Sequence, residues 1–175
     1  MANRPAGDTR RRHSTLREGV VAGAIAATGV AVWFLLVDLV TNGLFFTPTR
    51  LGMAFGRVFG VAPMARSETA ALVGYTIVHY AGFAVVGILA VGIVHLARRQ
   101  PTVLAGAFLA FFVAEALIYV FIGLLSTTQL LGHLTWVQIS IANVIGAVLI
   151  GWKLWRDHPG LGDRFDRVVS GRDAD

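Results

Sequence analysis

Three ionisable side chains, Asp38, His79 and Glu115, stand inside long apolar runs of this sequence. A charged group in hydrocarbon must be paired, hydrogen-bonded or set against a water-filled cavity, and such positions are functional candidates by default. An imidazole and a carboxyl at bonding distance form a matched acid–base pair, so His79 and Glu115 could pass a proton. Tyr75 lies one turn before His79, Tyr119 lies one turn after Glu115, and Ser140 and Asn143 share a face of a later apolar run. Together these six residues suit proton-linked carriage of a small molecule. They equally suit binding of a quinone, a lipid head group or a small anion in an apolar cavity. Asp38 and His133 are expected at a wetter mouth. The competing reading is a polar clamp that fixes helix register, each bond contributing about 0.6–2 kcal/mol.

Other chemistries are excluded or disfavoured by residue type and spacing. The sequence has no cysteine, which removes disulfides, thiolate metal sites, iron–sulfur clusters and Cys nucleophiles. Bis-histidine haem needs two histidines facing each other at one depth, whereas His79, His95 and His133 are expected at three different depths. A di-iron carboxylate site needs about four carboxylates, and only Glu115 lies deep in a span. No metal and no cofactor is therefore expected, an enzyme is the less favoured class, and His13, His95 and His158 receive no role.

The elements that must carry these groups follow from composition. Of 175 residues, 55% are hydrophobic and 14% charged, too little polar surface to wrap a water-soluble core. A bilayer core of roughly 30 Å needs about 20 helical residues. Four runs qualify, at about 19–41, 70–97, 101–126 and 131–155. Lipid offers the backbone no hydrogen-bond partners, so these runs are helices and the fold class is an all-α transmembrane four-helix bundle. His79 then sits roughly 14 Å below one surface and Glu115 at nearly the same depth on the neighbouring span. A direct His79–Glu115 contact is the sharpest structural expectation.

Lys and Arg set the orientation. Arg4, Arg10, Arg11, Arg12, Arg17, Arg98, Arg99, Lys153, Arg156, Arg164, Arg167 and Arg172 fall on one side, and only Arg50, Arg57 and Arg66 on the other. Both termini are therefore expected in the cytoplasm, with 1–18 a basic tail, 19–155 the membrane domain and 156–175 a second tail. The apolar run from Val20 to Val37 is too long for a signal-peptide core, so the first span is read as retained. The net charge of +5 is spread over span ends without interleaved aromatics, which argues for lipid head groups and against nucleic acid as the partner. Trp33, Trp136, Trp152 and Trp155 lie toward span ends, where amphipathic rings prefer the interface.

Between the first two spans, 42–69 is the one long connection. Thr47 is placed to cap and Pro48 to begin an amphipathic helix carrying Leu51, Phe55, Val58 and Phe59, with Arg50 and Arg57 opposite. Such a helix would anchor at the outer membrane surface or form a lid over a cavity. Pro63 is expected to end this region, and Ser67-Glu68 to cap the second span. Stripes of small residues, Gly19-Gly23-Ala27, Gly106-Ala110-Ala114 and Ala142-Gly146, allow close helix approach, within the bundle or against a second copy or larger membrane complex.

The Phe-Thr-Pro-x-x-Leu-Gly stretch from Phe46 to Gly52, the pair His79-Tyr80, and Gly-Trp-x-x-Trp-Arg-x-His-Pro-Gly from Gly151 to Gly160 resemble small four-helix bacterial inner-membrane proteins. That group is defined by architecture, so the resemblance implies a four-helix fold in the inner membrane and assigns no catalytic or ligand residue. The role expected on these grounds is a non-enzymatic accessory, scaffold or small binding protein in the lipid bilayer, alone, as a homo-oligomer or within a larger complex. The runner-up is a proton-linked carrier or sensor.

Overall fold

The structure is a computed structural model that describes residues 7–97 and 136–158, with Val103, Gly106, Phe112, Val113, Ala116, Leu117 and Val120 between them. Every element among the described residues is helical: α1 (Gly7–Thr41), α2 (Phe46–Val58), α3 (Ala62–Arg66), α4 (Glu68–Ala97) and α5 (Trp136–Asp157). Three of them hold stretches long and apolar enough to cross a membrane, Thr15–Thr41, Glu68–Ala97 and Val137–Asp157. These match three of the expected spans. The seven described positions between 103 and 120 are also helical. Helix α1 starts well before its apolar stretch, because an established helix propagates readily through good helix formers such as Arg and Glu.

Chain direction is fixed by contacts between helices. Thr15 meets His95, Ala27 meets His79 and Thr28 meets Tyr80, so α1 and α4 run antiparallel. The Trp33 indole N–H donates to the Gln138 carbonyl and Glu18 meets His158, so α1 and α5 are antiparallel as well. Helices α4 and α5 are therefore parallel.

Small residues set the closeness of α1 and α4. A Cβ on Gly23 would strike the Phe83 carbonyl, and one on Gly87 would strike the backbone of Gly19 and Gly23. The first small-residue stripe is thus used within the molecule. Ala142 is buried, and a Cβ on Gly146 would meet Phe83 and Val30, so the α5 stripe also turns inward. The core then fills with Ala26, Val91, Val94, Ile150 and Leu154, flanked by Phe83 and Leu149. Outward-facing Val40, Ile77, Leu89, Val137 and Val148 are each at least 60% exposed, an apolar exterior suited to lipid.

The connection between α1 and α4 departs from expectation in two places. Thr47 and Pro48 lie inside α2, each two residues past its expected position, because Phe45 in the left-handed region starts the helix. Pro63 opens the short helix α3 instead of ending the region, as suits a residue with fixed φ and no N–H. The face of α2 that docks is its glycine face, with Gly52 against the Ala71 carbonyl and Gly56 against Met64 and Ala65. Ser67 behaves as expected, its hydroxyl accepting the Ala70 N–H at 3.3 Å at the start of α4.

Candidate functional site: a groove beneath α2

Asp38 lies in the last turn of α1, where its main-chain carbonyl accepts the N–H groups of Asn42 and Gly43 at 2.9 and 2.7 Å. Gly43, at φ 93°, supplies the positive φ that ends the helix, and the chain turns back through Phe45 at φ 64°. That reversal brings Thr47 over the Asp38 side chain. The carboxylate accepts the Thr47 N–H at 2.7 Å on one oxygen and the Thr47 hydroxyl at 2.6 Å on the other. Asp38 is fully buried, which corrects the expectation of a wetter mouth. Its charge is answered by two short hydrogen bonds, and it caps the first turn of α2 from the neighbouring helix.

His79 lies three turns into α4 and faces α1. Its Nε2 is 3.0 Å from the Ala27 carbonyl oxygen, which can only accept, so the proton resides on Nε2 and Nδ1 is the remaining acceptor of the neutral ring. Aromatic rings surround it: Tyr75 stacks at 5.6 Å between centroids, Tyr80 stands edge-on at 5.8 Å, and Phe83 tilts against it at 4.9 Å. One turn along α1, the Thr28 hydroxyl donates to the Ala24 carbonyl at 2.8 Å and lies 2.9 Å from the Tyr80 hydroxyl. With its one proton so placed, Thr28 accepts from Tyr80, and the Tyr80 oxygen retains its lone pairs.

These groups line a groove of about 280 Å³ between α1 and α4. Phe34, Leu35 and Leu72 supply apolar wall; Asp38, Phe45, Thr47 and Pro48 close the end under α2; and His79, Tyr75, Thr28 and Tyr80 provide the polar features. Thr28, Ala31, Val32, Thr76 and Tyr80 are exposed, so the groove opens sideways between the two helices. Tyr75 lines the groove, where its hydroxyl can donate to a guest. An apolar trough with a few fixed polar atoms binds small molecules by shape and orients them by hydrogen bonds.

Comparison with protein-family models, with curated proteins and with solved structures finds no match. The site is therefore read from its own geometry. Of the residues singled out in the sequence, the structure brings Asp38, Tyr75 and His79 together along the groove. Ser140 and Asn143 are half-buried on α5 and engaged in interactions there, and neither lines it. Glu115, Tyr119 and His133 lie outside the described residues, and with them the expected His79–Glu115 contact. Sequence reasoning missed Thr28, Thr76 and Tyr80, each an uncharged polar residue in a span. Thr76 and Tyr80 sit at i−3 and i+1 from His79, a signal that the neighbours of one ionisable residue could have supplied.

Proposed function

We propose that this chain is a four-span inner-membrane protein with both termini in the cytoplasm, and that it acts as a small non-enzymatic binding protein. Its guest is an amphiphile with a hydroxyl group, held in the groove beneath α2. The observation that carries this reading is the groove itself: apolar walls, a sideways opening between two helices long and apolar enough to cross a membrane, and polar atoms that both donate and accept. A hydroxyl matches that set, giving its proton to the Tyr80 oxygen or His79 Nδ1 and receiving one from Tyr75. Helix α2 serves as the lid, pinned by Asp38.

The parallel course of α4 and α5 supports the count of four spans. The chain leaves α4 at the end where His95 meets Thr15 and enters α5 at the opposite end, where Gln138 meets Trp33. A fourth span, proposed from the apolar run at about 101–126, joins those two ends. The scaffold reading draws on Gly106, which is exposed among the described residues and belongs to a small-residue stripe that suits close approach by a second copy or a larger complex.

Native mass spectrometry of protein gently extracted from its own membrane tests the binding reading, with Ala31→Phe as the variant that fills the groove. A discrete adduct on wild type that is lost in Ala31→Phe is the expected result. Wild type carrying no adduct, or an adduct unchanged by Ala31→Phe, overturns it.

A further inference from the structure

The end of the bundle opposite α2 gathers a second set of polar side chains from three helices. Glu18 comes from α1, His95 from the last turn of α4, and His158 from the residue that follows α5. His158 Nε2 lies 2.6 Å from Glu18 Oε1, and the rings of His95 and His158 meet edge to face at 5.6 Å between centroids. One carboxylate oxygen and one ring nitrogen from each histidine all fall within 4.8 Å of one another. The side chains are sheltered but reachable, His158 being 12% and Glu18 15% exposed.

We propose that Glu18, His95 and His158 form a binding site for a divalent transition-metal ion of the zinc class. Two imidazoles and one carboxylate are the donor set such ions favour, and three protein ligands leave one position for water. Donors about 2.1 Å from a tetrahedral metal lie about 3.4 Å apart. The Glu18–His158 separation of 2.6 Å is shorter than that value and all three atoms lie within 4.8 Å of one another, so side-chain shifts of about an ångström bring them onto one ion.

Two further features favour a cation here. The C-terminal ends of α4 and α5 both converge on the cluster, and the partial negative charge of a helix C-terminus attracts positive charge. The Thr15 hydroxyl lies 3.4 Å from His95 Nδ1. A proton on Nδ1, donated to Thr15, leaves Nε2 as the lone-pair nitrogen and orients the ring, as a second hydrogen bond commonly does for a ligating histidine. An ion held this way joins the three helices at one point. With both termini in the cytoplasm, this end of the bundle faces the cytosol.

The test uses the full-length, untagged chain in detergent, titrated with Zn2+ by calorimetry and with Co2+ by visible absorption. Wild type is expected to bind one Zn2+ per chain, to give the intense Co2+ bands of four- or five-coordination, and to melt at a higher temperature with Zn2+ than with Mg2+. His158→Ala is expected to weaken Zn2+ binding by at least tenfold. His95→Ala keeps the Glu18–His158 contact and with it a folded end, and is expected to lose binding by a similar factor. The proposal is overturned by wild type that binds no stoichiometric Zn2+, or by undiminished binding in both variants, which would leave Glu18–His158 as an ordinary hydrogen-bonded pair.

Discussion

The two ends of the bundle handle polar side chains in opposite ways. Under α2, the polar groups are satisfied by main chain or by close neighbours: Asp38 by the N–H and hydroxyl of Thr47, His79 by the Ala27 carbonyl, Tyr80 by Thr28. What remains is a mostly apolar trough with a few atoms turned to a guest. At the other end, Glu18, His95 and His158 face each other from separate helices, with side-chain atoms as partners. The same residue type therefore does two jobs. His79 is held by backbone and serves as wall, whereas His158 meets a carboxylate and is poised to ligate.

Substitutions can break or sharpen that contrast. The largest effect is expected from Gly23→Val, which forces side-chain atoms against the Phe83 carbonyl and separates α1 from α4 along both ends at once. A loss of about 3 kcal/mol, read by thermal or denaturant unfolding in detergent, would remove groove and cluster together. Asp38→Ala acts on one end only. It uncaps α2 and strands the Thr47 N–H, costing about 2 kcal/mol, and hydrogen exchange should rise across residues 46–58 while that of residues 90–97 stays unchanged. Tyr80→Phe is the mildest, a loss of about 0.6 kcal/mol for one bond between helices. Its value lies in the groove, where adduct retention should fall although the unfolding midpoint barely moves.

Much of the scaffold can be read from composition, and much of the wiring cannot. Spans over α1, α4 and α5 follow from apolar length, and the Ser67 cap follows from a local motif. Burial of Asp38 escapes a linear reading because its partner Thr47 arrives only through the left-handed turn at Phe45, a conformation that a bulky residue rarely adopts. The docking face of α2 is hard to read from sequence for a related reason. Hydrophobic periodicity draws attention to Phe55 and Phe59, whereas Gly52 and Gly56 make the contact by having no side chain to obstruct it. His95 and His158 are far apart in sequence and unremarkable singly. They become neighbours because α4 and α5 are parallel, a relation that no local pattern encodes.

The Glu18–His158 contact spans 140 residues, linking α1 to the residue that follows α5. During synthesis α1 emerges long before His158 exists, so this contact closes only when α5 has been made and laid against α1. It marks chains in which α5 has docked against α1. A cross-link engineered between positions 18 and 158 would separate chains whose α1 and α5 have docked from those in which they have not.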